Sequence, residues 1–479
     1  MKKSDQTKTQ KQFKEAFGEK LNALEKIPLK FTKMERPIEV IDTTPPPSLY
    51  PIFSTDTLSY TSLSTYPFRN GKKIGNPICD KAKAVMYKDV MIVVIADGCG
   101  LGTNVFSASE NAVNTITKSM IENIDKCKTT TDVAEVMVDS VVMGHFSIIE
   151  KSPETFCIGT TTVLLSVVAF TMTNLPVILT LSIGDCSAFI ISKSQSRACQ
   201  VVSDSKTSLK EATDCGGRIG PFVDKNFPDL RNASLTLTHC EKNDVFLVAT
   251  DGFVDNFNPS FLGNCPSELG LFCQDWEAAR ECPNFLEKKK KWTENLVYSF
   301  FNTSQSISNF IEKMSEYVVG TTQASRRYLE TKPGERLPID PVRYPGKCDH
   351  GTVIAFKIKK RIEETEDLSS IIPMYSSSLF GGGEAVGLGR MKSEKPQKLV
   401  VCQNPTKSAK RDSLRETKNT SAAEIDSQAS LEPIEIFPDD VVIKFTPEDK
   451  PLSMKFSSES QIPTPALGRS IGEEIKPKE

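Results

Sequence analysis

No residue between Thr155 and Gly184 carries a charge, so most of this segment is suited to an apolar surrounding, of lipid or of protein. Its length would accommodate a bilayer helix of ~20 residues. Its composition points elsewhere. TTVLLSVVAF and VILTLSIG are rich in Thr and β-branched side chains, which crowd a helix and suit a pleated strand, and Thr173-Asn174-Leu175-Pro176 breaks the run with a turn. The segment is read as two buried strands joined by a turn, with no membrane span. Similar runs recur: AKAVMY and VMIVVIA before it, SAFIIS, ACQVVS, ASLTLT and DVFLVAT after it, and GTVIAFKIK last. Helical spacing of apolar residues appears at about 105–125, about 131–150 and about 258–330. Strands outnumber helices and often follow one another directly, which predicts an α+β fold of antiparallel sheets covered by helices.

The two arms differ from this centre. Residues 1–50 are polar and Lys-rich and end in Thr-Thr-Pro-Pro-Pro, an extended breaker suited to a boundary. This arm is expected to be disordered, except that Phe13, Phe17, Leu21, Leu24 and Ile27 recur at spacings of three and four, an apolar helix face that would pack on its own domain. Residues 363–479 are rich in Ser, Thr, Pro, Glu and Lys and hold five of the 37 aromatics, too few for a core, so this tail is expected to be disordered. The domain proper is placed at 51–362. Near-equal charge, 59 Lys+Arg against 61 Asp+Glu, removes the basic surplus that a dedicated nucleic-acid binder needs. Thirteen cysteines, with no C-x-x-C pair, read as reduced thiols of an intracellular, cytoplasmic protein. On that reading the sequons at Asn232, Asn302 and Asn419 are fortuitous. The start, MKKSDQTKTQ, has no apolar stretch of the secretory kind.

Aspartates stand at the ends of the apolar strands. VVIADGCG places Asp97 and Gly98 after one strand, LSIGDCSA places Asp185 in a tight turn, FLVATDGFVDN places Asp251, Gly252 and Asp255 after another, and KCDHGTVIAF places Asp349 before the last. Glycine beside an aspartate at the lip of a buried sheet lets several carboxylates converge without obstruction by neighbouring side chains. An all-oxygen set of this kind suits magnesium or manganese rather than zinc.

In their order, Asp97-Gly98, Gly159-Thr160-Thr161, Gly184-Asp185, Thr250-Asp251-Gly252 and Asp349 before Gly351-Thr352-Val353, these motifs resemble the metal-dependent protein serine/threonine phosphatases of the protein phosphatase 2C family, from about Ile74 to Lys359. The resemblance implies a four-layer α-β-β-α sandwich of two antiparallel sheets flanked by helices, with a two-metal site at one end. It implies Asp97 as the carboxylate bridging two Mg2+ or Mn2+ ions, the Gly98 carbonyl on the second ion, and Asp251 and Asp349 on the first. Asp80 would hold water on a metal, and Asp185 would brace its turn. The implied reaction is hydrolysis of phosphoserine and phosphothreonine in a phosphorylated protein substrate, by a water that the ions activate in line with phosphorus.

The chain departs from the family pattern at several positions. Cys99 stands where the family has the histidine thought to act as general acid, Cys79 replaces a glutamate, and Gly75 replaces a phosphate-binding arginine. Phe156 and Cys157 stand where a third-metal aspartate is expected. Lys73, or Lys72 or Arg69, and Arg218 in GGRIGP are candidate phosphate contacts, and His350 is a candidate partner of Asp349. A stretch of about 256–345, with Trp276, Trp292 and Lys288 to Lys291, reads as a helical insertion, a lid or substrate platform. Its lysines are expected on a solvated helix face, and its tryptophans in local packing. The alternative to an enzyme is a catalytically inactive phosphatase-like module that binds phosphoproteins or scaffolds a partner.

Overall fold

The structure is a computed structural model that describes residues 3–31, 37, 39–42, 52–55, 57–150, 158–202, 214–223 and 226–359. All of them belong to the first of the chain's two units, Met1–Tyr375. The tail at 363–479 and the Phe156-Cys157 position lie outside the described residues.

Two six-stranded antiparallel sheets form the centre. The first runs β1 (Glu39–Asp42), β6 (Lys81–Met86), β7 (Val90–Ala96), β8 (Val163–Phe170), β9 (Pro176–Ile183), β14 (Ser234–His239). The second runs β11 (Arg197–Val202), β10 (Ser187–Ser192), β15 (Val245–Ala249), β16 (His350–Lys357), β3 (Leu58–Ser64), β2 (Ile52–Ser54). Two small hairpins stand apart, β4 (Phe68–Arg69) with β5 (Lys72–Lys73), and β12 (Arg218–Val223) with β13 (Phe227–Asp229). The uncharged segment is the β8–β9 hairpin, turned at Asn174 with positive φ, a conformation asparagine tolerates. No described helix is long and apolar enough to cross a membrane.

Strand alternation sorts the apolar side chains into layers. From β7, Met91, Val93 and Ile95 enter a cluster with Ala188, Ile190, Phe246, Val248, Ile354 and Phe356 of the second sheet. Ile92, Val94 and Ala96 of the same strand face the opposite way, against helices α2 (Thr103–Asn123) and α3 (Thr130–Glu150). The outer face of the second sheet, with Phe189, Leu247 and Val353, meets α4 (Asp251–Val254), α6 (Phe285–Asn302) and α7 (Ile307–Thr321) through Phe253, Val297, Phe310 and Met314. This is the α-β-β-α sandwich. Both sheets are covered on both faces, which is why the central strands β7, β8, β9 and β10 are buried along nearly their whole length rather than on alternate residues.

Three sequence expectations need adjustment. Within the N-terminal arm, residues Lys3–Ala23 form helix α1, and Phe13 and Phe17 are fully buried in the α2–α3 layer, so the arm is not disordered there. The 256–345 stretch, expected as a helical insertion forming a lid or platform, contains α6 and α7, which pack on the outer face of the second sheet. Only the segment before α6 has a core of its own, where Leu271, Ala279 and Phe285 gather with Trp276, and it includes the one-turn α5 (Trp276–Ala279). Helix α8 (Gln323–Thr331) follows α7. Of the lysine run, Lys289 is buried and Lys288 donates to the Gly270 carbonyl, while Lys290 and Lys291 face solvent. Finally, Cys273 and Cys282 are joined by a disulfide, against the expectation of reduced thiols throughout; nine described cysteines are free.

Helix α3 buries His145 against α1 and the β12–β13 hairpin. Its Nδ1 accepts from the Gly220 amide at 3.0 Å, its Nε2 meets the Asn226 carbonyl at 3.2 Å, and the Phe13 ring lies edge-on at 6.1 Å. Burial pushes the imidazole down from 6.5 to about 4, the Asn226 bond opposing. Below the unfolded value the unfolded chain gains a proton that the folded chain refuses, so stability is full above about pH 6.5 and falls as pH drops toward 4. Urea denaturation at pH 7.5 and pH 5 is expected to show the wild type losing about 2 kcal/mol more than His145→Gln over that interval.

Candidate metal centre

Antiparallel pairing brings five strand ends to one place. Lys81 pairs with Ala96, so Asp80, just before β6, lies beside Asp97, just after β7. Ser187 pairs with Ala249 and Ala249 with Val353, which sets the Asp185 turn, the Thr250-Asp251 corner and Asp349 along the second sheet's matching edge. Two glycines allow the close approach. A Cβ on Gly98 would lie 2.6 Å from Val105 Cγ1 and 2.9 Å from the Cys79 carbonyl oxygen, and one on Gly252 would lie 1.7 Å from the His350 carbonyl oxygen. Only a residue without a side chain lets α4 begin directly against β16.

One carboxylate oxygen each from Asp97, Asp185 and Asp251 lies within 4.8 Å of the others. Asp185 and Asp251 are buried and Asp97 is half-buried. Asp80 is buried behind them; its Oδ2 accepts from Thr250 Oγ1 at 2.8 Å, and its Oδ1 is buried with no hydrogen-bond partner. Burial pushes the Asp80 carboxyl up to about 8, with the charges of Asp349 and Asp251 adding to it and the Thr250 bond opposing. Asp97 is also pushed well above the usual carboxylate range, first by burial and then by Asp251, Asp80, Asp349 and Asp185. Carboxylates that raise one another in this way mark a place where positive charge is stabilised.

The donors fit a hard divalent cation: they are all oxygen, carried by separate strand ends, and backed by a buried carboxylate oxygen with no protein donor. Asp97, Asp185 and Asp251 would hold it. The resemblance gives Asp185 a bracing role, whereas here its carboxylate stands within the ring.

Asp349 occupies the far side. Its Oδ1 accepts from Tyr66 Oη and from the His350 amide, each at 2.9 Å. Thus the main chain of His350, rather than its ring, orients Asp349. The imidazole instead accepts from the Cys79 amide through Nδ1 at 3.2 Å and lies edge-on to Tyr66. Between Asp349 and Asp251 stands a residue that sequence reasoning missed. Lys347 Nζ lies 2.5 Å from Asp251 Oδ2, 3.0 Å from Asp255 Oδ2 and 2.9 Å from Asp349 Oδ2. Burial alone would lower this ammonium, but Asp251, Asp349 and Asp255 outweigh it and raise it well above its ordinary value. The only sequence signal was a lysine two positions before Asp349, and nothing local to it announces three distant acceptors.

The remaining candidates divide. Lys73 Nζ donates to the Ser64 carbonyl and lies 5.6 Å from the Phe68 ring. Arg218, on β12, stacks over Phe222 at 4.3 Å, and its Nε is buried without a partner. Cys99 donates its amide to the Thr160 carbonyl, and its sulfur stands 3.9 Å from that of Cys215. That contact, together with burial, holds the Cys99 thiol up, whereas Cys215 is drawn down to about 7 by Cys99 and then Arg218.

No family model matches the chain. In sequence it is similar to the PP2C-like domain-containing protein CG9801 of Drosophila melanogaster, 26% identical over 213 residues, which are 42% of this chain and 28% of that protein. The match thus spans little more than a quarter of the relative's length. Among solved structures it is similar to the photosystem II phosphatase PBCP (14% identity, 63% of this chain, 99% of that one, TM-score 0.37). It is also similar to the serine/threonine phosphatase of S. agalactiae (13%, 62% and 99%, TM-score 0.36) and to the serine/threonine phosphatase PstP/Ppp of Mycobacterium tuberculosis (12%, 63% and 99%, TM-score 0.34).

Because the Gly252 Cβ position coincides with a main-chain oxygen, relaxation of a side chain cannot relieve it. Gly252→Ala is expected to cost about 3 kcal/mol or more in a denaturant titration, and an effect under about 1 kcal/mol would contradict the close approach.

Proposed function

We propose that this chain, a divergent relative of the protein phosphatase 2C family, hydrolyses phosphoserine and phosphothreonine in proteins with the help of a divalent cation, magnesium or manganese. One observation supports this above the others: Asp97, Asp185 and Asp251, delivered by three separate strand ends, group within 4.8 Å beside the donorless Oδ1 of Asp80. The chemistry such an ion supplies when bound is polarisation of a phosphoryl oxygen and a lowered pKa for the attacking water.

The chain's own residues do the rest. Asp80, fixed by Thr250, offers Oδ1 to accept a hydrogen bond from the attacking water. Arg218 has a buried guanidinium Nε free to donate to a phosphoryl oxygen, and takes over from the arginine that Gly75 replaces. Cys99, kept as a protonated thiol, holds a proton at Sγ for the departing alkoxide. A thiol is a weak hydrogen-bond donor, so this step is the slow one for a poor leaving group.

A second reading is supported by a different observation. Lys347 engages Asp251 and Asp349, the two carboxylates the resemblance would assign to one ion, and the family histidine and arginine are replaced. An inactive phosphoprotein-binding module would have these features.

The full chain assayed with manganese is expected to turn over p-nitrophenyl phosphate, whose leaving group needs little protonation, faster than a phosphothreonine peptide. Asp251→Asn is expected to lower both by at least about 100-fold. Cys99→His is expected to raise peptide turnover at least about tenfold while changing p-nitrophenyl phosphate turnover little. Absence of manganese-dependent turnover on both substrates favours the binding module.

A further inference from the structure

We propose that the Lys347 ammonium is a built-in cation that holds the place of one of the two ions implied by the resemblance, so that the centre takes a single divalent ion. The inference rests on the reading of the centre as a cation site. An ammonium has three N–H donors, and here three carboxylate oxygens from three segments receive them: Asp251 at the start of α4, Asp255 in the turn after it, and Asp349 before β16. A magnesium ion needs its oxygens at about 2.1 Å. Nitrogen at 2.5 and 2.9 Å from Asp251 and Asp349 fills the space such an ion would need between them.

The main chain holds the lysine in that position. The Lys347 amide donates to Asn256 Oδ1 at 2.9 Å, and Asn256 Nδ2 donates to the Lys347 carbonyl at 3.1 Å and to the Gly252 carbonyl at 2.7 Å. Asn256 follows Asp255 in the chain, so one side chain ties the loop that carries the ammonium to the segment that carries two of its acceptors. Gly346 turns the loop with φ of +77° and anchors it through the Phe261 carbonyl at 2.7 Å; a Cβ there would lie 2.4 Å from Asn256 Oδ1. The Lys347 side chain is 19% exposed, so this is a sheltered charge on a braced loop, unlike a mobile surface lysine that must be ordered before it can pair. Asp97, Asp185 and Asp251 remain grouped for the divalent ion, with Asp80 behind them. Lys347 is therefore a positioning residue: it fixes Asp251, shared between the ammonium and the ion.

The test is to count ions. Full-length protein stripped with chelator and dialysed against Mn2+ is expected to retain one equivalent, with the electron paramagnetic resonance spectrum of an isolated Mn2+. Lys347→Met is expected to take up a second equivalent and to show the dipolar broadening of a manganese pair. Two equivalents with a coupled spectrum in the wild type overturn the inference and leave the proposed activity standing. No bound ion in the wild type overturns both. A Lys347→Met variant that stays at one equivalent also overturns the inference, and if that variant does not fold, the wild-type spectrum alone decides.

Discussion

Covering a sheet on both faces leaves its strands no room for charge except at their ends. That constraint organises the molecule. β7, β8, β9, β10, β15 and β16 are buried almost along their whole length, so the carboxylates that follow or precede them are forced to the rim. Antiparallel register then gathers those rims into one corner. Acidic side chains crowded there raise one another's proton affinity, and positive charge among them relieves the repulsion. The chain supplies part of that charge itself through Lys347, and Asp97, Asp185 and Asp251 are grouped closely enough that they could hold an ion.

Much of the fold was legible because two-sided burial writes an unbroken apolar run into each central strand. The elements that were not legible are those whose burial is hidden by chemistry. β3, Leu-Ser-Tyr-Thr-Ser-Leu-Ser, is almost wholly buried yet polar in sequence, and Ser62 pairs across the sheet with Thr352 at 2.8 Å. Helices α6 and α7 read as an insertion because a helical pattern does not say which sheet it covers. In the site, the Asp-Gly pairs were visible in the sequence because a strand end needs a turn. Lys347 and the place of Asp185 were not, since both depend on distances between segments far apart in the chain.

The replacements around the centre form a consistent set. Beside Cys99 a second thiol, Cys215, just before β12, stands within 3.9 Å, and the charge of Arg218 on β12 acts to lower both, although Cys99 is held up overall. On the proposed reading, the positive charge offered to a phosphate would come from Arg218 on the β12–β13 hairpin. If that reading holds, the placement of Arg218 depends on how firmly that hairpin is held.

That dependence reaches the first residues of the chain. His145 grips the hairpin through the Gly220 amide and the Asn226 carbonyl, and the ring of Phe13 closes over the same imidazole from the other side. Trimming the protein to begin near residue 50 for convenience of expression would strip that lid from the histidine, let solvent reach it, and slacken from behind the hairpin that carries Arg218, without touching a residue of the hairpin itself.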